Sequence, residues 1–183
     1  PRVPRRRVAM TADGRFGTRL ARLVATSAGL GDRLPAPGTT AGSLPAALAW
    51  VAIALALPEP TMCTVVTALA AVAASAAGLW AAAVEAARRG LTDPGPVVVD
   101  EVAGQLLCFA VARPWLDLSS PLRLALAALF GFLAFRALDV VKPWPIHLLE
   151  RLPGAVGIMA DDLAAGAAAG LALAGAASLV GPG

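Results

Sequence analysis

Long uncharged runs alternate with short polar stretches along the chain, and this alternation predicts the elements. Leu44 to Leu57 carries no charge and ends at Pro58. As a helix its 14 residues rise about 21 Å against a hydrocarbon core of about 30 Å, so it tilts into the interface or borrows length from its flanks. Pro60 to Val84 holds 25 residues without a charge, enough to span, and its Ala, Gly and Ser suit close helix contacts. Val102 to Ala112 and Leu122 to Asp139 are the next apolar segments. Leu163 to Val180 is the last, with Gly166 and Gly170 in small-xxx-small spacing.

The polar stretches between these runs differ in kind. Gly14 to Gly31 places Arg15, Arg19 and Arg22 on one helical face and Phe16, Leu20, Leu23 and Val24 opposite, the pattern of a helix lying on an anionic membrane surface or, as the plainer alternative, of an ordinary amphipathic helix packed on its own domain. Gly29 to Leu44 is rich in glycine, proline, serine and threonine and is expected to be an irregular loop. Its hydroxyls at Thr39, Thr40 and Ser43 and its glycine amides suit phosphate oxygens, or Ser43 simply caps the helix that follows. Gly90 to Glu101 ends in the pair Asp100 and Glu101, just before an apolar run. Phe135 to Asp162 concentrates the chemistry. Arg136 and Asp139 share a helix face, Lys142 precedes a break at Pro143 and Pro145, Trp144 suits a membrane interface, and Asp161 and Asp162 open the last apolar segment.

Composition turns these runs into membrane segments. Of 183 residues, 58% are hydrophobic and 15% charged, values unusual for a soluble domain. Cys63 and Cys108 both lie in apolar runs and read as small core residues, with no disulfide framework or zinc site. The expected fold class is all-α: a polytopic membrane helical bundle with an N-terminal amphipathic interfacial helix and cytoplasm-facing active-site loops. Residues 1–13, with Arg2, Arg5, Arg6 and Arg7, form a flexible basic lead, and residues 14–183 a single membrane-embedded domain. With five segments crossing in turn, 13 of the Lys and Arg residues fall on the cytoplasmic side and only Arg113 and Arg123 on the other. The same topology gathers Asp93, Asp100, Glu101, Asp139, Asp161 and Asp162 on the cytoplasmic side.

Two acid pairs near one membrane face supply oxygen ligands for a hard divalent cation, and magnesium typically takes one or two carboxylates together with waters and substrate phosphate. At a helix start the same acids also serve as plain caps. Arg136 and Lys142 are suited to neutralise a phosphate. A cysteine phosphatase is excluded because Cys108 and Arg113 lie within and beside an apolar segment with no cradle of amides. A mechanism using two histidines is excluded because His147 is alone.

Four blocks, LPAPGTTAGSL at 34–44, DPGPVVVDEVAG at 93–104, FRALDVVKPWPI at 135–146 and RLPGAVGIMADDLAAG at 151–166, give the chain its likeness: it resembles the phosphatidylglycerophosphatase A family of bacterial membrane lipid phosphatases. The resemblance implies a magnesium-dependent hydrolase that converts phosphatidylglycerophosphate to phosphatidylglycerol on the cytoplasmic face of the inner membrane. It implies Asp100, Glu101, Asp139, Asp161 and Asp162 as catalytic or metal-binding acids, with Asp100, Glu101, Asp161 and Asp162 as the metal ligands. Arg136 and Lys142 become phosphate-facing cations, and Thr39 and Ser43 substrate-binding hydroxyls. Ala155 stands where the family tends to have a second glycine, and Glu150 where it tends to have Asp. The expected reaction is attack of magnesium-activated water with a carboxylate as general base and Lys142 stabilising the phosphoryl charge, or formation of an aspartyl-phosphate at Asp161 or Asp100. Phospholipid substrate and membrane lipids are the expected partners, and nucleic acid is not. A small cation-coupled transporter and a non-catalytic lipid-binding scaffold are the competing classes; the transporter requires the acids near the bilayer midplane.

Overall fold

A computed structural model describes residues 12–180. The basic lead at Arg2 to Arg7 lies outside the described residues. The described residues form helices and no strand: α1 (Ala12–Ala25), a π-helical turn (Gly38–Ser43) leading directly into α2 (Leu44–Ala56), α3 (Pro60–Arg89), α4 (Val99–Ala112), a 3-10 turn (Arg113–Trp115), α5 (Pro121–Val141), α6 (Ile146–Leu149) and α7 (Ala155–Val180).

Local chemistry sets several of these ends. At α3 the Glu59 carboxylate accepts from the amides of Thr61 and Met62, Pro60 takes the first helical position, and Gly90 closes the helix at φ 67°. At α5 the Ser120 hydroxyl accepts from the Arg123 amide, and Lys142 ends the helix at φ 43°, ahead of Pro143. The glycine- and threonine-rich stretch is not wholly a loop, as its composition predicted. From Gly38 the backbone is helical, so α2 gains length from its N-terminal flank and Gly38–Ala56 makes 19 residues. Ser43 is therefore no N-cap: it is helical itself, and its hydroxyl donates back to the Gly38 carbonyl at 3.0 Å.

Among the described residues four helices are long and apolar enough to cross a membrane: Gly38–Ala56, Pro60–Arg89, Pro121–Val141 and Ala155–Leu179. The fifth expected segment, α4, is shorter. It is enclosed by its neighbours instead, packed between α3 and α7 and flanked by α2 and α5. Ala103, Cys108, Phe109 and Ala112 on α4 have no exposed surface, and Phe109 stacks on Trp50 of α2 with ring centroids 4.1 Å apart. Large apolar side chains such as Leu55, Leu69, Val72, Leu133 and Leu171 point outward instead. That inversion suits a lipid solvent, in which helices associate through small residues rather than by hiding leucines. Cys63 and Cys108 are free and buried.

α4 and α7 cross with their backbones in contact. A Cβ on Gly166 would run into the Gly104 carbonyl, and one on Gly170 would stand 2.6 Å from the Cys108 carbonyl oxygen. At one end of the bundle Arg113 donates to the Pro58 and Leu116 carbonyls. At the other end the start of α2, the start of α4, the end of α5 and the first turns of α7 come together.

Candidate active site

Both acid pairs sit one helical turn from that glycine crossing. Asp100 and Glu101 occupy the first turn of α4, four and three residues before Gly104; Asp162 lies on α7, four before Gly166. Side chains four apart share a helix face, so backbones that touch at Gly104 and Gly166 bring Asp100 and Asp162 face to face. Oxygens of Asp100, Glu101 and Asp162 lie within 4.8 Å of one another. The expectation that Asp161 and Asp162 open their helix is corrected here. α7 begins at Ala155, so both are in its second turn and cap nothing.

The cations approach this group from the end of α5. Arg136 Nη1 donates to Asp139 Oδ2 at 2.5 Å and to Ser43 Oγ at 3.3 Å, and lies 3.9 Å from Glu101 Oε1. Lys142 Nζ donates to Asp161 Oδ2 at 2.5 Å and to Glu150 Oε1 at 3.3 Å. Asp161, the fourth expected ligand, thus faces Lys142 and lies outside the group of three. Thr39 is half-buried on the π turn beside Gly38, while His147, half-buried on α6, is not among the gathered groups.

The electrostatics are unbalanced. Asp100, Glu101, Asp139, Asp161 and Asp162 face two cations, Arg136 and Lys142. Asp100 Oδ1, Glu101 Oε2, Asp161 Oδ1 and Asp162 Oδ2 are buried with no hydrogen-bond partner. Burial, then the charges of Glu101 and Asp162, push the Asp100 carboxyl well above the ordinary carboxylate range. Burial also raises Glu101. For Lys142 burial acts against the charge, but the hydrogen bond and charge of Asp161, helped by Glu150, outweigh it and hold the pKa above the usual lysine value. Orphaned buried oxygens are costly, and three from hard ligands at this spacing fit a divalent cation of the magnesium class. Asp100, Glu101 and Asp162 are the residues that would hold it.

Several contributors were not singled out from the sequence. Gly38 and Gly42 make room for Glu101: a Cβ on Gly38 would overlap its carboxylate, and one on Gly42 would stand 2.9 Å from its Cβ. Gly104 was not singled out either, though the repeated Asp-x3-Gly spacing of Asp100–Gly104 and Asp162–Gly166 was there to be read. Asp32 accepts from Arg22 at 2.8 Å and from Arg89 at 2.7 Å, and the fully buried Glu85 carboxylate accepts from Arg88 and Arg89. This network fastens α1 to α3, and no local pattern announces a pairing 57 residues apart.

An apolar helical bundle with membrane-length helices, carrying at one end a buried carboxylate cluster flanked by an arginine and a lysine, defines an integral membrane protein with a charged site where its helices end. The model of the phosphatidylglycerophosphatase A family matches residues 23–177, and the chain belongs to that family. A Bacteroides thetaiotaomicron protein named "Putative phosphatidylinositol-3-phosphatase" is 37% identical over 144 residues, covering 79% of this chain and 85% of that one. The phosphatidylglycerophosphatase A of Escherichia coli is 41% identical over 78 residues, 42% of this chain and 41% of that one. No solved structure matches the chain significantly. The protein is accordingly a phosphatase, a hydrolase of the membrane.

Proposed function

We propose that the protein hydrolyses the phosphomonoester of phosphatidylglycerophosphate to phosphatidylglycerol and phosphate, with magnesium, at the cytoplasmic face of the inner membrane. One observation carries the reading: three carboxylates with unpartnered oxygens gather within 4.8 Å, beside Arg136 and Lys142, where the apolar helices end. A cation-coupled transporter would need its acids near the bilayer midplane, whereas these sit in the first turn of α4, the last turn of α5 and the second turn of α7. The excess of Lys and Arg on the same side supports a cytoplasmic orientation.

When bound by Asp100, Glu101 and Asp162, magnesium supplies Lewis-acid stabilisation of phosphoryl charge. The chain's own residues do the rest. Arg136 and Lys142 bind the substrate phosphate, Asp139 and Asp161 hold those two cations in place, and Ser43 fixes the Arg136 fork from the π turn. Lys142, held as an ammonium by Asp161 and Glu150, neutralises phosphoryl charge. Water attacks phosphorus and gives its proton to a carboxylate of the site, while the bond from phosphorus to the glycerol oxygen breaks; that oxygen keeps the bonding pair and takes up a proton, returned from the carboxyl or drawn from solvent, to give the alcohol.

The test is phosphate release by purified protein in lipid nanodiscs, from phosphatidylglycerophosphate and from phosphatidylinositol 3-phosphate, each with and without chelator. Faster release from the first, abolished by chelator and by Asp162→Asn, supports the reading. Preference for the inositol lipid overturns the substrate, and release indifferent to chelator overturns the metal. With an isotopically chiral phosphate, inversion at phosphorus marks direct attack by water, and retention together with phosphate trapped on the protein marks an aspartyl-phosphate.

A further inference from the structure

We infer that α1 is a seat for an anionic membrane surface, and that this seat positions the Asp100–Glu101 pair. The helix has two apolar faces. Ala21 and Ala25 are fully buried in a cluster with Ala81, Ala82, Val97 and Val99, so this face belongs to the bundle. Phe16, Leu20 and Leu23, at i, i+4 and i+7 spacing, turn away from it and are 69%, 43% and 51% exposed. A strip of large apolar side chains opposite the packing face stays in water only at a cost, and α3, on which α1 lies, carries a membrane-spanning stretch to its charged end at Arg88 and Arg89. The strip therefore lies at headgroup depth. Arg19 borders it and is exposed, and Arg33 extends the basic edge beyond the helix. A basic edge beside a Phe and Leu strip complements anionic lipid.

The same helix is tied to the acids. The Val98 amide donates to the Ala25 carbonyl at 2.8 Å, and Val98 is the residue from which α4 starts. Val97 and Val99 share one core cluster with Ala21 and Ala25 of α1, and Gly31, just beyond the helix, presses on the Pro96 carbonyl so closely that a Cβ has no room. Asp32, held by Arg22 and Arg89, locks α1 and this turn to α3. Asp100 and Glu101 follow directly. A movement of α1 off its seat is transmitted to them through Ala25 and Val98, with no flexible segment between.

Hydrogen exchange on the full chain tests this without reference to which lipid phosphate is cleaved. The protein is placed in nanodiscs of phosphatidylcholine alone, or with phosphatidylserine, which is neither substrate nor product of the proposed reaction. Protection of α1 and of the amides of residues 97–101 is expected to rise together in the anionic discs. Arg19→Glu is expected to remove at least about fivefold of the gain, the effect of one basic side chain near an anionic surface, while α3 and α5 stay protected. Equal protection of α1 in both discs overturns the anionic seat. Lipid-dependent protection of α1 with no change at residues 97–101 overturns the coupling.

Discussion

Substituting Gly166 by alanine tests whether the glycine crossing assembles the site. The added methyl would stand 2.8 Å from the carbonyl carbon and 3.0 Å from the Cα of Gly104, and closer still to the carbonyl oxygen. Carbons rest at about 3.5–4.0 Å, and neither partner is a side chain able to rotate away, so α4 and α7 must part by roughly 1 Å. One turn along, Asp100, Glu101 and Asp162 have ligand oxygens within 4.8 Å of one another. Magnesium holds its ligands at about 2.1 Å, so two of them stand at most about 4.2 Å apart. If the proposed magnesium is bound there, the group has to close slightly on it, and a helix separation of roughly 1 Å puts it out of reach. A misplacement of that size costs about 10²-fold in rate. Overpacking itself costs about 1–3 kcal/mol of stability. Phosphate release is therefore measured against magnesium concentration, with thermal unfolding alongside. Gly175→Ala, on the same helix with nothing within 4 Å of the added methyl, is the control and should behave as wild type. A Gly166→Ala protein that melts lower but keeps its rate and its magnesium dependence would refute the reasoning, because the crossing would then serve packing alone.

Gly38→Ala places a methyl on the Glu101 carboxylate and should weaken magnesium dependence several-fold while leaving α2 intact, as read by metal titration and circular dichroism. Lys142→Met leaves Asp161, only 3% exposed, without its cation; phosphate release should fall by about 10²-fold or more, a loss that a purely structural ion pair would show only as a lower melting temperature. Arg89, then Arg22, hold the Asp32 carboxyl below the ordinary value of 3.8. A depressed carboxylate pKa stabilises fully above that value and its contribution is lost as pH falls through the folded one, so α1 should loosen in hydrogen exchange below about pH 3.8. Asp32→Asn should loosen it at neutral pH and abolish that acid dependence.

How far the sequence carries follows from which forces act locally. The long helices were legible because lipid demands apolar runs of fixed length, and the acids were legible because charge in such a chain collects where those runs end. The π turn at Gly38–Ser43 was not, since its glycines and threonines favour loops in water. At the end of a membrane helix every amide needs a partner, and continuing the helix supplies one. Its glycines are there for Glu101, a residue 63 positions after Gly38, and no window of local sequence contains both. Asp161 and Asp162 looked like caps because the uncharged run starts only at Leu163, yet the helix begins at Ala155. The roles of those two adjacent acids then divide by helix geometry alone: neighbours on a helix point about 100° apart, so when Asp162 faces α4, Asp161 must face elsewhere, and Lys142 is what it meets. The Asp-x3-Gly spacing on α4 and α7 is a single device used twice, a backbone contact that fixes a carboxylate contact one turn away. Its prediction is asymmetric. Moving either glycine by one position would keep the composition, the hydropathy and the acids, and would still dismantle the cluster.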